Sequence, residues 1–281
     1  MKIAVHLHIF YLEMWDEIKE YLHNIGHYPY HLFVTLIQEN DDLIHKIKEY
    51  HKDTSIYIVE NRGYDVGAFV YFLHQIDLKQ YDIIIKLHTK NKVGYDTLIN
   101  HRYISRKNWV KLLYTGLLGS YALFIKNLYK FKVKQNLGMI GSQYLITSNA
   151  KNTKNVKSGV KDFMIKLGYI KPEKITFVAG TMFMIRSHLL QQIKDNFTIN
   201  DFEISDPKIK DGTLAHILER VFGCLVVANG YTINGYDKNY YFECASILKT
   251  IRHFIYCRKI TNHNYLLIKI CKIPIYHRKQ L

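Results

Sequence analysis

The stretch KIAVHLHIF, residues 2–10, alternates apolar side chains at every second position and therefore predicts a β-strand. Working outward from it, periodicity predicts a helix over 14–24, a strand over 31–37, a helix over 41–50 and a strand over 55–60. This βαβαβ order is typical of a parallel sheet with right-handed crossovers. Ligands bind such sheets at the carboxyl ends of the strands. Functional loops are therefore expected after Phe10, Ile37, Glu60 and Leu87.

Length and charge narrow the class of protein. The 281 residues, 48% of them hydrophobic, fit one large α/β domain. A formal net charge of +15 indicates an anionic partner, which is a nucleic acid, a diphosphate-bearing ligand or an acidic membrane surface. The sequence has no helix-turn-helix, RNP or zinc-finger pattern, which argues against nucleic acid as a partner.

Cysteine spacing and hydropathy indicate the cellular compartment in which the protein is expected. The four cysteines, at 224, 244, 257 and 271, lack zinc-ligand spacing and are predicted to be free thiols. The amino-terminal stretch is too short and polar for a signal peptide, and no run of eighteen apolar residues occurs. We expect a cytoplasmic protein that does not span a membrane.

Polar residues cluster at two predicted strand ends. The segment NRGYDVGAF, 61–69, follows the third strand, and the apolar strand YDIIIKLHTK, 81–90, ends in a basic tip. His88 and Lys90 are two residues apart, so on a strand they face the same side and can converge on one ligand. His6 and His8 share a face of the first strand in the same way, which is compatible with core packing or with ligand contact.

The second half divides into a basic helical region, an acidic loop and a tail. No acidic residue occurs between Asp96 and Asp162, and the region 104–131 is predicted to be helical. A strand is expected over 175–186, an acidic loop over 201–206, and a helix from Asp211 onward. The predicted organisation is one domain over 1–243 followed by a basic helical tail over 244–281.

Five blocks in order resemble one known family, the rhamnan synthesis protein F family of bacterial polysaccharide glycosyltransferases. The blocks extend to about Gly223 and are VHLHIFY with HLFVTL, NRGYDVGAF, KLHTK, FVAGTMFMIR and DGTLAHILERVFG. The resemblance implies an α/β, GT-A-like fold with a mainly parallel central sheet flanked by helices. Residues 1–100 would form the nucleotide-sugar-binding half and 101–243 the acceptor half. It also implies transfer of L-rhamnose or another deoxyhexose from a nucleoside-diphosphate donor to a lipid-linked O-antigen, capsule or rhamnan.

The resemblance places the donor site at the two strand ends. Where most GT-A enzymes carry an Asp-x-Asp metal motif, this chain has His88-Thr89-Lys90. Cationic side chains there can supply the positive charge that a metal otherwise gives to the diphosphate, so no metal site and at most a weak Mg²⁺ or Mn²⁺ effect are expected. The predicted donor-binding residues are Asn61, Arg62, Gly63, Asp65, His88, Thr89, Lys90 and His8. An alternative for Asp65 is simple capping of the helix that follows it.

An inverting transfer needs a carboxylate that takes the proton of the acceptor hydroxyl. The family's acceptor half favours Asp211 as this general base, with Glu203 as the alternative and His216 as a further catalytic candidate. Because His216, Glu219 and Arg220 share a helix face, a structural ion-pair cluster is the competing interpretation.

Interleaved basic and aromatic residues over 102–134 and in the tail predict docking on an anionic membrane at its cytoplasmic face. Tail residues that support this are Arg252, Arg258, Lys259, Lys269, Lys272, Arg278 and Lys279. The sequence leaves open a retaining transferase of related fold and a non-catalytic assembly factor of the polysaccharide machinery.

Overall fold

The structure is a computed structural model that describes residues 1–148, 154–206, 208–209, 211–260, 265–270 and 273–279, with side chains described as far as residue 252. The strands are β1 (Ile3–Ile9), β2 (His31–Leu36), β3 (Thr54–Ile58), β4 (Ile83–His88), β5 (Thr97–Ile99), β6 (Arg102–Ile104), β7 (Leu137–Ile140), β8 (Ile146–Thr147), β9 (Phe177–Val178), β10 (Phe183–Arg186), β11 (Thr232–Asn234), β12 (Tyr256–Ile260), β13 (Tyr265–Ile270) and β14 (Ile273–Lys279). The α-helices are α1 (Trp15–His23), α2 (Asp41–Tyr50), α3 (Tyr64–His74), α4 (Arg106–Leu118), α5 (Tyr121–Val133), α6 (Lys154–Lys166), α7 (Gln191–Asn196), α8 (Leu214–Ala228) and α9 (Tyr240–Ile255).

A seven-stranded sheet organises the chain, with the strand order β11-β7-β10-β4-β1-β2-β3. Neighbouring strands are parallel except that β10 runs antiparallel to both β4 and β7. The predicted α/β class with a mainly parallel, helix-flanked sheet is therefore confirmed. The chain runs from β1 outward to β3 and then returns through α3 to β4 on the other side of β1. This reversal creates a topological switch point, where doubly wound sheets bind ligands.

The region 104–131 is helical, as predicted, and it consists of the two helices α4 and α5. The helical structure is interrupted at Gly119 and Ser120, between α4 and α5. The side chain of Ser120 accepts a hydrogen bond from the Leu123 N–H at 3.2 Å and caps α5. Ser105 caps α4 in the same way through the Asn108 N–H at 3.3 Å. A cap residue satisfies a backbone donor that the first helical turn leaves free, and so it fixes where a helix begins.

The predicted strand over 175–186 is interrupted. Strands β9 and β10 flank a turn in which Gly180 has φ 95° and Thr181 has φ 53°. Such left-handed backbone ends extended structure, which is why the apolar alternation did not produce one strand. The turn brings the Thr181 side chain toward the switch point, as described below.

The carboxyl-terminal extension is only partly helical, which corrects the prediction of a helical tail. Helix α9 ends at Ile255, and β12, β13 and β14 form a separate antiparallel sheet. The isoleucine and tyrosine residues in YLLIKI and IPIYHRK favour strands. The tail side chains predicted to contact membrane beyond Arg252 lie outside the described side chains. Within the described residues, no helix has the length and apolar character needed to cross a bilayer.

Two buried clusters lie on opposite faces of the sheet. Val5 and Leu7 of β1 and Leu87 of β4 belong to the cluster that also contains residues of α1, α2, α4 and α5. The other cluster contains residues of α3, α6 and α8. On this second face the alternate positions of β1 and β4 change from apolar to polar toward the carboxyl ends of the strands.

Candidate functional site

A track of buried polar side chains runs along the α3 face of the central strands. Its members are His6 and His8 of β1, Thr35 of β2, and Lys86 and His88 of β4, each at most 3% exposed. Strand register makes His6 the neighbour of Lys86 and His8 the neighbour of His88. The spacing of two residues puts His6 and His8 on one face of β1, as the sequence predicted, and it puts Lys86 and His88 on the same face of β4. Such a track is costly unless its groups find partners.

Asp65 is the partner on which the track converges. Its Oδ2 accepts hydrogen bonds from Lys86 Nζ at 2.5 Å and from Thr181 Oγ1 at 2.5 Å. His88 Nδ1 lies 3.4 Å from the same oxygen. Gly63, and not Asp65, occupies the cap position of α3. The alternative interpretation of Asp65 as a helix cap is therefore wrong, and its carboxylate instead pairs with a buried lysine.

Thr35 links the two histidines of β1. Its Oγ1 lies 3.0 Å from His6 Nε2 and 3.0 Å from His8 Nδ1. A hydroxyl has one hydrogen and two lone pairs, so at most one imidazole accepts from Thr35 and at least one donates to it. Thr35 thereby joins His6 and His8 in one hydrogen-bonded network.

Burial dominates the protonation of this network. Burial lowers the pKa of His8 to about 4 and holds the pKa values of His6 and His88 well below the ordinary value. Burial alone would raise the pKa of Asp65, but the positive charges of Lys86 and Lys90 outweigh it and hold that pKa well below its usual range. Near neutral pH the three imidazoles are therefore uncharged beside an ionised Asp65.

A cavity of about 280 Å³ opens directly above this network at the carboxyl ends of β1 and β4. It is lined by His8, Phe10, Tyr11, Asn61, Tyr64, Asp65, His88, Thr89, Lys90, Asn91, Arg106 and Ser205. Six of the eight predicted donor-binding residues are thus brought together. A larger cavity of about 760 Å³ lies near the opposite end of the sheet, where Met1 and Asp82 line it. The smaller cavity is the better candidate because it holds the buried network and lies at the switch point.

Two cations line the cavity beside one aromatic ring. Lys90 Nζ lies 4.9 Å from the ring centroid of Trp109, and the Arg106 guanidinium carbon lies 4.3 Å from it. Arg106 also donates from Nε to the Asn91 carbonyl at 2.8 Å. These contacts orient both cations at the cavity. Thr89 has a supporting role, since its Oγ1 accepts the N–H groups of Phe10 and Tyr11 at 2.8 and 3.0 Å.

Arg62 and Gly63 do not line the cavity but fix the shape of the loop beside it. Gly63 has φ 62°, and a Cβ there would lie 2.2 Å from the Phe202 ring. Its N–H donates to the Glu203 carbonyl at 3.0 Å. Arg62 forms an ion pair with Glu60 and donates to the Phe202 carbonyl at 3.1 Å. The acidic loop of the second half therefore holds the NRGY loop of the first half in place.

The three predicted catalytic residues lie outside the cavity lining. Asp211 Oδ1 is 3.7 Å from Arg220 Nη2 and has no hydrogen-bond partner among the residues that the structure describes. His216 Nδ1 lies 2.6 Å from Thr213 Oγ1, and its ring contacts Tyr64, which does line the cavity, with centroids 5.8 Å apart. Glu203 is exposed. Asp211 and His216 therefore belong to a cluster beside the cavity, behind Tyr64.

The interpretation of this cluster as an ion-pair group is partly supported by its contacts. Arg220 binds Glu219 Oε2 at 2.8 Å, and Glu219 Oε1 accepts the Gly180 N–H at 2.8 Å. Burial lowers the pKa of His216, against the raising effect of Glu219 and Asp211. Glu219 thus positions the turn that carries Thr181 to Asp65.

The residues around the cavity do not fit a divalent cation. Asp65 is the single carboxylate among the described lining residues, and its Oδ2 is occupied by Lys86 and Thr181. Across the described residues, no group of three or more His, Cys, Asp or Glu side chains is arranged to hold a metal ion. Mg²⁺ and Mn²⁺ favour sets of oxygen ligands, which this site does not present.

Strand-end reasoning missed lining residues that come from other parts of the chain. Tyr64 could have been identified because it lies between two predicted site residues. Arg106 and Ser205 carry no local signal, because α4 and the 202–206 loop reach the cavity only through tertiary folding. Lys92, two residues beyond Lys90, pairs with Glu17 and does not line the cavity.

Comparison of the sequence with known proteins identifies a matching family. A family model described as rhamnan synthesis protein F matches residues 1–231, a range that includes every cavity residue. WxcX of Xanthomonas campestris pv. campestris (strain B100) is 24% identical over 234 residues, which are 82% of this chain and 32% of that protein. The chain therefore spans about a third of the length of the curated relatives it matches.

Two solved structures show limited similarity. Residues 1–349 of TarS from S. aureus give a TM-score of 0.44 at 10% identity, over 83% of this chain and 58% of that one. The mannosyltransferase PcManGT from Pyrobaculum calidifontis, in complex with GDP-Man and Mn²⁺, gives a TM-score of 0.44 at 12% identity, over 90% of this chain and 62% of that one.

Proposed function

The chain belongs to the rhamnan synthesis protein F family, a family of glycosyltransferases, and we propose that it transfers a sugar from a nucleoside-diphosphate donor bound in the cavity above β1 and β4. The main observation that supports this proposal is that Lys90 and Arg106 line the cavity beside the buried Asp65–Lys86 pair. We further propose a GT-A-like division in which residues 1–100 bind mainly the donor and 101–243 mainly the acceptor.

The proposed role of the two cations is to stabilise the leaving group. As the bond between the anomeric carbon and the diphosphate oxygen breaks, negative charge develops on the diphosphate, and fixed cations stabilise it more in the transition state than in the ground state. Lys90 and Arg106 are the lining cations, whereas the charge of Lys86 is compensated by Asp65. Among the described residues, buried His88 Nε2 has no hydrogen-bond partner, and the His88 side chain lines the cavity.

We propose that transfer does not require a bound metal. The position that carries a metal motif in most GT-A enzymes is His88-Thr89-Lys90 here, and Asp65 is engaged by Lys86. These residues supply positive charge and no open set of oxygen ligands. Magnesium or manganese would then have at most a weak effect, through the diphosphate itself.

The proposed general base is Asp211. It would accept the proton of the acceptor hydroxyl while the hydroxyl oxygen attacks the anomeric carbon and the nucleoside diphosphate departs. Within the described part of the chain, Asp211 Oδ1 has no hydrogen-bond partner, and it lies in the cluster beside Tyr64. If Asp211 is the base, Asp211→Asn should lower kcat by about 10²-fold or more and Glu203→Gln should not. The reverse result would assign the role to Glu203.

A more specific proposal concerns the sugar, the acceptor and the cellular location of the reaction. We propose L-rhamnose or a related deoxyhexose as the sugar, a lipid-linked surface polysaccharide as the acceptor, an inverting course, and work at the cytoplasmic face of the membrane. Membership of the rhamnan synthesis protein F family supports this. A retaining course would appear as the opposite anomer in the product, and a non-catalytic assembly factor would bind donor without turnover.

The experiment that tests the proposed function measures nucleoside-diphosphate release and thermal shift across a panel of nucleotide sugars, with and without EDTA. We expect one donor to respond, the response to survive EDTA, and Lys90→Ala or Arg106→Ala to weaken donor binding by about 10-fold or more, as expected for loss of a charge-assisted contact. Lys92→Ala is the matched control, because Lys92 pairs with Glu17 outside the cavity. Strict dependence of turnover on metal would overturn the proposed cationic mechanism. The absence of a response to any nucleotide sugar would overturn the proposed transferase activity.

A further inference from the structure

Helix α9 presents an apolar face to solvent. Tyr241 is 90% exposed, Leu248 67% and Ile251 49%. Tyr240, Cys244 and Ile247 are exposed on the same side. At 3.6 residues per turn these six positions fall within about one third of the helix circumference. They form a continuous stripe, which we call the α9 face.

The inward side of the same helix is mostly polar, and its apolar contact is Phe242, whose ring centroid lies 4.6 Å from that of Tyr144. Ser246 is buried, and Thr250 Oγ1 accepts the Tyr103 N–H at 3.0 Å. Lys249 Nζ forms an ion pair with Asp96 Oδ2 at 2.8 Å. Glu243 accepts a hydrogen bond from the Tyr144 hydroxyl at 3.3 Å. Most of the described apolar side chains of α9 therefore face solvent, whereas an ordinary surface helix directs its apolar face to the core.

Positive charge is concentrated where this helix begins. The ammonium groups of Lys126, Lys130 and Lys134 lie 5.9, 5.5 and 5.8 Å from the ring of Tyr236. Lys238 lies 4.7 Å from the ring of Tyr240. The chain contains no acidic residue after Glu243. The nearby acids are engaged, since Asp237 Oδ2 accepts from Ser142 and Asp96 pairs with Lys249.

A second exposed segment connects this region to the cavity. Val93 is 83% exposed, Tyr95 92% and Leu98 50%. The segment follows Lys90 and Asn91, which line the cavity, and it carries Asp96, the ion-pair partner of Lys249 on α9. Apolar exposure thus continues from the cavity mouth toward the carboxyl-terminal helix.

We infer that the α9 face docks on an anionic lipid bilayer, with its apolar side chains at the boundary of the acyl chains and the flanking lysines at the head groups. An exposed apolar stripe with neighbouring cations is the pattern of an interfacial helix. A second copy of the chain is the weaker occupant, because it would bring two strongly basic surfaces together. That docking presents a lipid-linked acceptor to the cavity rests on the proposed function; the docking itself does not.

The test is flotation of the full chain with vesicles of equal parts phosphatidylglycerol and phosphatidylcholine, without any nucleotide sugar. We expect the double variant Leu248→Glu/Ile251→Glu to reduce the bound fraction at least tenfold. The matched control is Ile170→Glu, because Ile170 is 91% exposed and lies outside α9. Raising the salt concentration, or using phosphatidylcholine alone, should weaken wild-type binding as well.

Folding and activity must be measured beside flotation. The double variant should keep its thermal unfolding midpoint and its turnover of a soluble acceptor, because the changed residues are exposed and outside the cavity. Equal flotation of variant and wild type, or no flotation of wild type, would overturn the inference. A wild-type dimer that becomes monomeric in the variant would assign the face to a second copy instead. Failure of donor turnover with retained flotation would count against the transferase alone.

Discussion

The cavity and the α9 face reverse the ordinary distribution of polar and apolar groups in opposite directions. Below the cavity, Lys86 and His88 are almost fully buried, whereas on α9 Tyr241 and Leu248 are mostly exposed. Asp65 compensates the buried charge. The exposed apolar stripe has no such compensation within the described residues. Buried charges that are paired inside the fold indicate a preorganised site. An apolar surface that remains exposed indicates a binding face for a partner.

The largest effect is expected where the buried pair is broken. Lys86→Met leaves the Asp65 carboxylate buried without its cation and should lower the free energy of unfolding by about 3–5 kcal/mol. Urea unfolding measures this change. The double variant Lys86→Met/Asp65→Asn removes both charges and should recover part of the loss. If the single variant cost no more than the double, the pair would not be coupled.

The next effect is acid destabilisation of the polar track. Burial lowers the pKa of His8 to about 4, whereas an unfolded imidazole titrates near 6.5. Below pH 6.5 the unfolded chain binds a proton that the folded chain does not, so the free energy of unfolding falls as the pH decreases, by about 3 kcal/mol for His8 on reaching pH 4. His6 and His88, whose pKa values are also lowered by burial, add to this fall.

Unfolding midpoints in urea from pH 7 to pH 4 measure the acid effect. His8→Asn should reduce the slope against pH by about one proton. His27→Gln, which removes an exposed imidazole, is the control and should leave the slope unchanged. A stability that does not vary across this range would contradict the neutral, buried state of the histidines.

The smallest effect is expected on the α9 face. Leu248→Ala should change the free energy of unfolding by less than about 0.5 kcal/mol, because the side chain is mostly exposed. The matched core change, Leu87→Ala in β4, should cost about 2–5 kcal/mol, since Leu87 is fully buried. A large loss from Leu248→Ala would show that α9 packs more tightly than its exposure indicates, and would remove the contrast between the two regions.

Local pattern predicted much of the fold and the site. Strands β1 and β2 were predicted from the periodicity of their apolar residues, and β4 from its continuous apolar run Ile83–Ile85. His8, Asp65, His88 and Lys90 were predicted as site residues because carboxyl ends of parallel strands meet at one edge. The interruption between β9 and β10 was missed, because left-handed backbone at Thr181 leaves no mark in the apolar alternation.

The sequence by itself determined the order of β1 to β4, the basic charge and the polar strand ends, because each depends on spacing along the chain. Tertiary structure alone decided that Thr181 and Lys86 share the Asp65 carboxylate, that Arg106 reaches Lys90 over Trp109, and that α9 turns its polar side inward. The physical reason is that helical periodicity defines two faces of a helix but not which one is buried. That choice depends on Asp96, Tyr103 and Tyr144, which are distant from α9 in sequence.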